Sequence, residues 1–238
     1  MRLQSFLSAQ LLVFILTLGV VIALLWGLHK AASRIGMAHT ARRQLLSYTG
    51  LGILLWLSIL TELSRMGLLL NATSIPVLAW VFIPVLVMGL WLARSPTFGL
   101  LLRFVGPAWL VWIHTFRAFL ALTFYLSWRA GLLPVHLSVQ GLNQDFIVGI
   151  TAPMAGLLFF NRRFYLLQAL LWHLFGLLLA AAVLLLIVWS TPSAHAAFAQ
   201  TTTLFTEFPF VWIPGFLLPL AMVLHGWALW QLKLFWKK

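Results

Sequence analysis

The sequence predicts an all-α polytopic membrane bundle: a single transmembrane domain over residues 1–238 with seven transmembrane helices, N-terminus outside and C-terminus cytoplasmic. Three observations carry that expectation. The chain is 63% hydrophobic with only 8% charged residues, whereas a soluble domain carries about a quarter charged. Its apolar runs are long enough to cross a bilayer as helices and are separated by short basic clusters. Those clusters alternate in strength along the chain, so one side of the membrane collects most of the lysine and arginine. The formal charge of +12 would point to nucleic acid in a soluble chain. Here topology explains it, and no nucleic-acid partner is expected.

Span one covers 6–28; its apolar run exceeds a signal-peptide core and ends in His29-Lys30, so it reads as an anchor. A basic loop, 29–43, carries Lys30, Arg34, Arg42 and Arg43, with His29 and His39 solvated beside them. Span two, 45–63, ends near Glu62 and Arg65, ahead of a polar turn at Asn71-Ala72-Thr73. Span three, 75–92, contains Pro76 and Pro84; Arg94 and Arg103 flank the next short loop. Span four, 104–128, leads into a polar segment, 129–145, holding Pro134, His136, Gln140, Gly141, Asn143 and Asp145. Span five, 146–160, is short, contains Pro153 and stops at Asn161-Arg162-Arg163. Span six is 165–189, and the 190–207 loop after it, which includes His195, has no basic residue. Span seven, 208–232, stops at Lys233, with Lys237 and Lys238 beyond.

Loops after spans one, three, five and seven hold eleven basic residues (Lys30, Arg34, Arg42, Arg43, Arg94, Arg103, Arg162, Arg163, Lys233, Lys237, Lys238), against Arg2, Arg65 and Arg129 opposite. That imbalance sets the orientation. Tryptophans near span ends, such as Trp26, Trp91, Trp128, Trp189 and Trp230, suit interfacial anchoring.

Arg117 is the one basic residue that no membrane surface accommodates, because it falls near the middle of span four. An arginine at that depth costs at least ~2.5–3.5 kcal/mol without a partner. At about 100° per residue, Leu110, His114, Arg117, Ala121, Tyr125 and Trp128 share one stripe, which must turn inward. Only three acidic residues exist, Glu62, Asp145 and Glu207. Asp145 is the expected partner, Glu62 its rival, with carbonyls or water as the remaining option. A helical rise of ~1.5 Å per residue leaves a gap to Asp145 unless the 129–145 segment dips inward, which Pro134 and Gly141 permit.

Two functional readings follow. In the first, Arg117 and His114 line an outer-facing pocket with Asn143 and Asp145 at its mouth. The protein then binds, senses or passes a small polar or anionic species, since arginine grips carboxylate and phosphate at two points. In the second, His173 and His225 lie at matched depth in spans six and seven and ligate a b-type haem, giving a redox subunit. A scaffold or assembly subunit of a membrane complex is a further alternative. In span seven, Pro214 and Pro219 free the carbonyls of Phe210 and Gly215, which either bind a cation or simply mark a packed kink.

Other chemistries lack their residues. There is no cysteine, no lysine inside span seven for a retinal Schiff base, no HExxH, no phosphate loop and no nucleophile elbow. Enzymatic activity is therefore not the leading expectation.

From residue 115 to about 232 the chain resembles a group of uncharacterised bacterial polytopic inner-membrane proteins. The elements are Phe116-Arg117, then Gly141-x-Asn143-x-Asp145 leading to Gly149-Ile150-Thr151-Ala152-Pro153. Phe208-Pro209-Phe210-Val211-Trp212-Ile213-Pro214 follows, with Pro219 and His225. The resemblance implies a bacterial inner-membrane protein and supplies no reaction. Gln140, Leu142 and His173 depart from the group's pattern, in which an acidic residue, a basic residue and asparagine are usual.

Overall fold

The computed structural model describes residues 2–70, 78–158, 165–193 and 196–236. The Asn71-Ala72-Thr73 turn, Pro76, the Asn161-Arg162-Arg163 stop, His195, Lys237 and Lys238 lie outside the described residues.

Every regular element among the described residues is helical. Helix α1 is Arg2–Arg34, α2 His39–Arg65, α3 Leu78–Ala93, α4 Pro96–Phe104 and α5 Pro107–Trp112. A 3-10 turn, Ile113–Thr115, joins α5 to α6 (Phe116–Arg129); α7 is Phe146–Leu158 and α8 Tyr165–Ser190. A π-helical turn, Ile213–Leu217, opens α9 (Leu218–Trp236).

Among the described residues five stretches are long and apolar enough to cross a membrane: Gln4–Arg34, His39–Arg65, Pro107–Arg129, Leu166–Ser190 and Ile213–Lys233. A sixth exists if α3 and α4, bent by 88° at their junction, form one broken span. Helix α7, at 13 residues, rises only ~20 Å and falls short of a ~30 Å hydrocarbon core.

Two expected loops are largely helix. Helix α1 continues through Arg34, and only 35–38 separates it from α2. Gly36, at φ +72°, ends α1, with the Met37 N–H bonded to the Ala32 carbonyl at 3.1 Å, a glycine C-cap. Similarly, Ser95 caps α4 by accepting from the Phe98 N–H, and Pro96 occupies its first turn.

Basic residues from distant loops collect at one end of the bundle. Arg34 donates to the Phe104 carbonyl at 3.0 Å, and Gln231 donates to the carbonyls of Leu102 and Val105. Those bonds bring Arg34, Arg103 and Lys233 to a common level. The last span is the most enclosed, 72% of its window buried, with Pro107–Arg129 next at 61%, while α2 is 11% buried and peripheral. The centre of the bundle is therefore shared by these two spans. Helices α7 and α8 flank these two: α7 packs on α5 and α6, and α8 on α9.

A candidate functional site at the buried arginine

Arg117 and His114 are fully buried, as the stripe requires, and Leu110 and Ala121 are buried with them. The 3-10 turn at Ile113–Thr115 tightens the span between the two polar residues, a common feature of sites where a helix is bent to purpose. Two glycines let the neighbouring helices close on the arginine. A Cβ on Gly149 of α7 would stand 2.1 Å from the Ala118 nitrogen, and one on Gly176 of α8 would stand 2.4 Å from His225 Cε1.

The 129–145 segment does dip inward. Gly131, at φ +76°, turns the chain off α6, and Gly141 packs where a Cβ would meet the Val135 carbonyl at 2.3 Å. Asn143 donates to the Leu137 carbonyl and accepts from the Asp145 N–H, so its side chain positions the acid. Asp145, only 4% exposed, takes Arg117 in two-point fashion: Nε donates to Oδ2 at 2.8 Å, and Nη2 donates to Oδ1. Such a fork–fork pair is the strong geometry for these groups. Glu62 instead pairs with Arg65 on the exposed face of α2.

The remaining donors reach further. Arg117 Nη2 also donates to the Gly176 carbonyl at 2.9 Å, and Nη1 to His225 Nε2 at 2.7 Å. Because guanidinium only donates, His225 Nε2 must accept, and the ring's proton sits on Nδ1. That Nδ1–H donates to His173 Nδ1 at 3.0 Å. The polarity of the chain Arg117 to His225 to His173 is thereby fixed.

His114 stacks on His225, ring centroids 3.8 Å apart and planes 12° from parallel. Both its ring nitrogens are buried without a hydrogen-bond partner. The other bare buried side-chain atom among the described residues is Ser127 Oγ. A helical serine can turn to bond the carbonyl four residues back; an imidazole in mid-bundle has no such recourse. A nitrogen of each of His114, His173 and His225 lies within 4.8 Å of one of each of the others.

His173 and His225 do share a depth. Their Nδ1 atoms are in direct hydrogen-bond contact, though, whereas two axial histidines of a haem stand on opposite faces of the macrocycle. In this arrangement no macrocycle fits between them. The carbonyls freed in span seven are also spoken for. Gly215 O accepts from Trp56 Nε1 at 2.9 Å, and Phe210 O from the Ile213 N–H at 3.0 Å. Neither is free for a cation, so the kink is a packed one.

Sequence reading names Arg117, His114, Asn143, Asp145, His173 and His225 in two separate roles; the structure joins them in one centre. It adds the Gly176 carbonyl, whose signal lies in the glycine itself, three residues along α8 from His173. No family model matches the chain, and neither does any curated protein or solved structure.

Proposed function

We propose that the protein is a bacterial inner-membrane protein that binds, senses or passes a small polar species at the Arg117–Asp145–histidine centre. Its supporting observation is His114: a fully buried side chain with two bare nitrogens inside an otherwise satisfied polar network. An unmade buried hydrogen bond costs about 1–3 kcal/mol, and such groups persist where a ligand or proton completes them. Arg117 spends four of its five N–H groups on Asp145, Gly176 and His225. Its charge is met by Asp145, which leaves the histidine nitrogens as the contact for a bound species. Access from the outer side runs past the 129–145 segment. Seven spans, with the N-terminus outside, belong to the same proposal, supported by the eleven-to-three division of basic residues.

The test is reconstitution into liposomes with a panel of protons, inorganic anions and metal cations, measuring both flux and equilibrium binding. One species giving saturable flux, or saturable binding without flux, that His114→Leu and Asp145→Asn both abolish is the expected result. Protein-containing liposomes that match empty ones for every species would overturn the proposal. Periplasmic and cytoplasmic reporters fused within 35–38 and 196–207 test the orientation.

A further inference from the structure

We infer that the species held at this centre is a monovalent late transition-metal ion, copper(I), ligated by His114, His173 and His225. This rests on the binding reading above and names its ligand. Three imidazoles with mutually accessible nitrogens within 4.8 Å are a nitrogen-only donor set. Imidazole suits copper and zinc, whereas magnesium and calcium require oxygen. Metal–nitrogen bonds of about 2.0–2.1 Å place three ligand atoms about 3.3–3.6 Å apart. His173 Nδ1 and His225 Nδ1 stand 3.0 Å apart, so an ion between them needs the pair to open by about 0.3–0.6 Å and both rings to turn toward a common point. His114 must tilt from its stacked position to aim a lone pair at the ion, and no hydrogen bond holds it back.

Charge selects the ion. Arg117 and Asp145 sum to zero, and the fixed hydrogen-bond polarity leaves His225 neutral with its proton on Nδ1. Ligation through His225 Nδ1 moves that proton to Nε2, and Arg117 Nη1 gives up its bond to the ring. The charge added to the buried centre is then the ion's own, one unit for a monovalent ion and two for a divalent one, and burial beside Arg117 penalises the second more heavily. His173 Nδ1 already carries the lone pair that accepts from His225, and it becomes a ligand without losing a proton.

The measurement uses the purified full chain in detergent, copper(I) kept reduced, and a chromogenic copper(I) chelator in competition. One ion per chain is expected, with copper(I) preferred to zinc(II). Loss of a partner outside the ligand sphere already costs ~10–100-fold in affinity, so His114→Leu and His173→Leu should each lose at least that. His39→Leu, exposed at the start of α2 and away from the centre, should bind as the wild type does. Copper should raise the unfolding temperature of the wild type and leave His114→Leu unmoved. Failure to bind copper(I), or binding that both centre variants retain, would overturn the metal assignment. If copper fails while another species in the liposome panel still depends on His114, the binding reading stands without it.

Discussion

The two most enclosed spans, Pro107–Arg129 and Ile213–Lys233, each carry a break in the α-helix, and they resolve it in opposite ways. In the last span the π-turn at Ile213–Leu217 carries Pro214, and Pro219 follows it. Trp56 from α2 caps its Gly215 carbonyl, and the indole of Trp212, just before the turn, donates back to the Leu57 carbonyl and Thr61 Oγ1 of α2. In the Pro107–Arg129 span the 3-10 turn at Ile113–Thr115 brings no proline, yet it leaves His114 stacked and bare. A break whose polar groups are all satisfied is a way of packing a kinked helix. A break that leaves donors and acceptors open beside a buried ion pair is where a ligand or proton has a reason to go.

The largest effect should come from the ion pair that anchors the second kind of break. Asp145→Asn leaves Arg117 charged, buried and short of its counter-ion, and removing one partner of a buried pair costs about 3–5 kcal/mol. The double variant Arg117→Gln with Asp145→Asn should lose much less than the sum of the single losses. Denaturant unfolding in detergent reads the coupling, and additive losses would show that the two residues act independently.

His114→Leu should move the other way. Replacing two bare nitrogens with a side chain of similar volume removes a cost of about 1–3 kcal/mol, so the variant should unfold at higher temperature while losing the bound species. A site that gives up stability for function behaves in this manner. A destabilised His114→Leu would mean that both breaks are structural.

How much of this was legible in the sequence follows from what each residue needs. Arg117 announced itself because no membrane surface could take it, and Asp145 followed because the chain has so few acids. The inward dip of the 129–145 segment was readable as a requirement, from helical rise and the Gly141 and Pro134 breaks. The level shared by His173 and His225 could be counted; their direct bond could not, because it depends on Gly176 letting α9 approach α8 to within the size of a methyl group. The two supposed loops failed for a local reason: Gly36 and Ser95-Pro96 are capping signals that basic residues on either side obscured. The seven-span count weakened where Pro153 and a 13-residue α7 met, since hydropathy alone does not separate a short buried helix from a crossing one.

Trp56→Phe should sharpen the contrast from the satisfied side. It leaves the Gly215 carbonyl uncapped while keeping most of the ring, for a loss of about 1 kcal/mol. Ligand binding at the histidine centre should be unchanged. If binding falls with stability, the π-turn and the 3-10 turn are coupled through α9, which carries both the Gly215 end and His225.

The smallest effect concerns the segment that delivers Asp145 to the open break. His136 lies in its 3-10 turn, stacked on Phe198 with centroids 3.9 Å apart. Ser190 Oγ gives its proton to the Leu186 carbonyl, so His136 Nε2 must be the donor in their 2.8 Å contact. Burial lowers the His136 pKa below its ordinary 6.5. Its folded form therefore disfavours the charge that the unfolded chain accepts. The sign follows: this contribution is fully present above about pH 6.5 and is lost as pH falls through that value toward the lowered folded one. The hydrogen bond itself survives protonation, because Nε2 donates in both states; only the desolvated charge is penalised. Wild-type protein should lose unfolding temperature between about pH 7.5 and 5.5, within the range where histidine titrates. His136→Asn should lose less over the same interval. Other histidines contribute to both slopes, so the difference between the two is the quantity to read. Equal slopes would remove His136 from the pH response and leave the segment held by its neutral bonds alone.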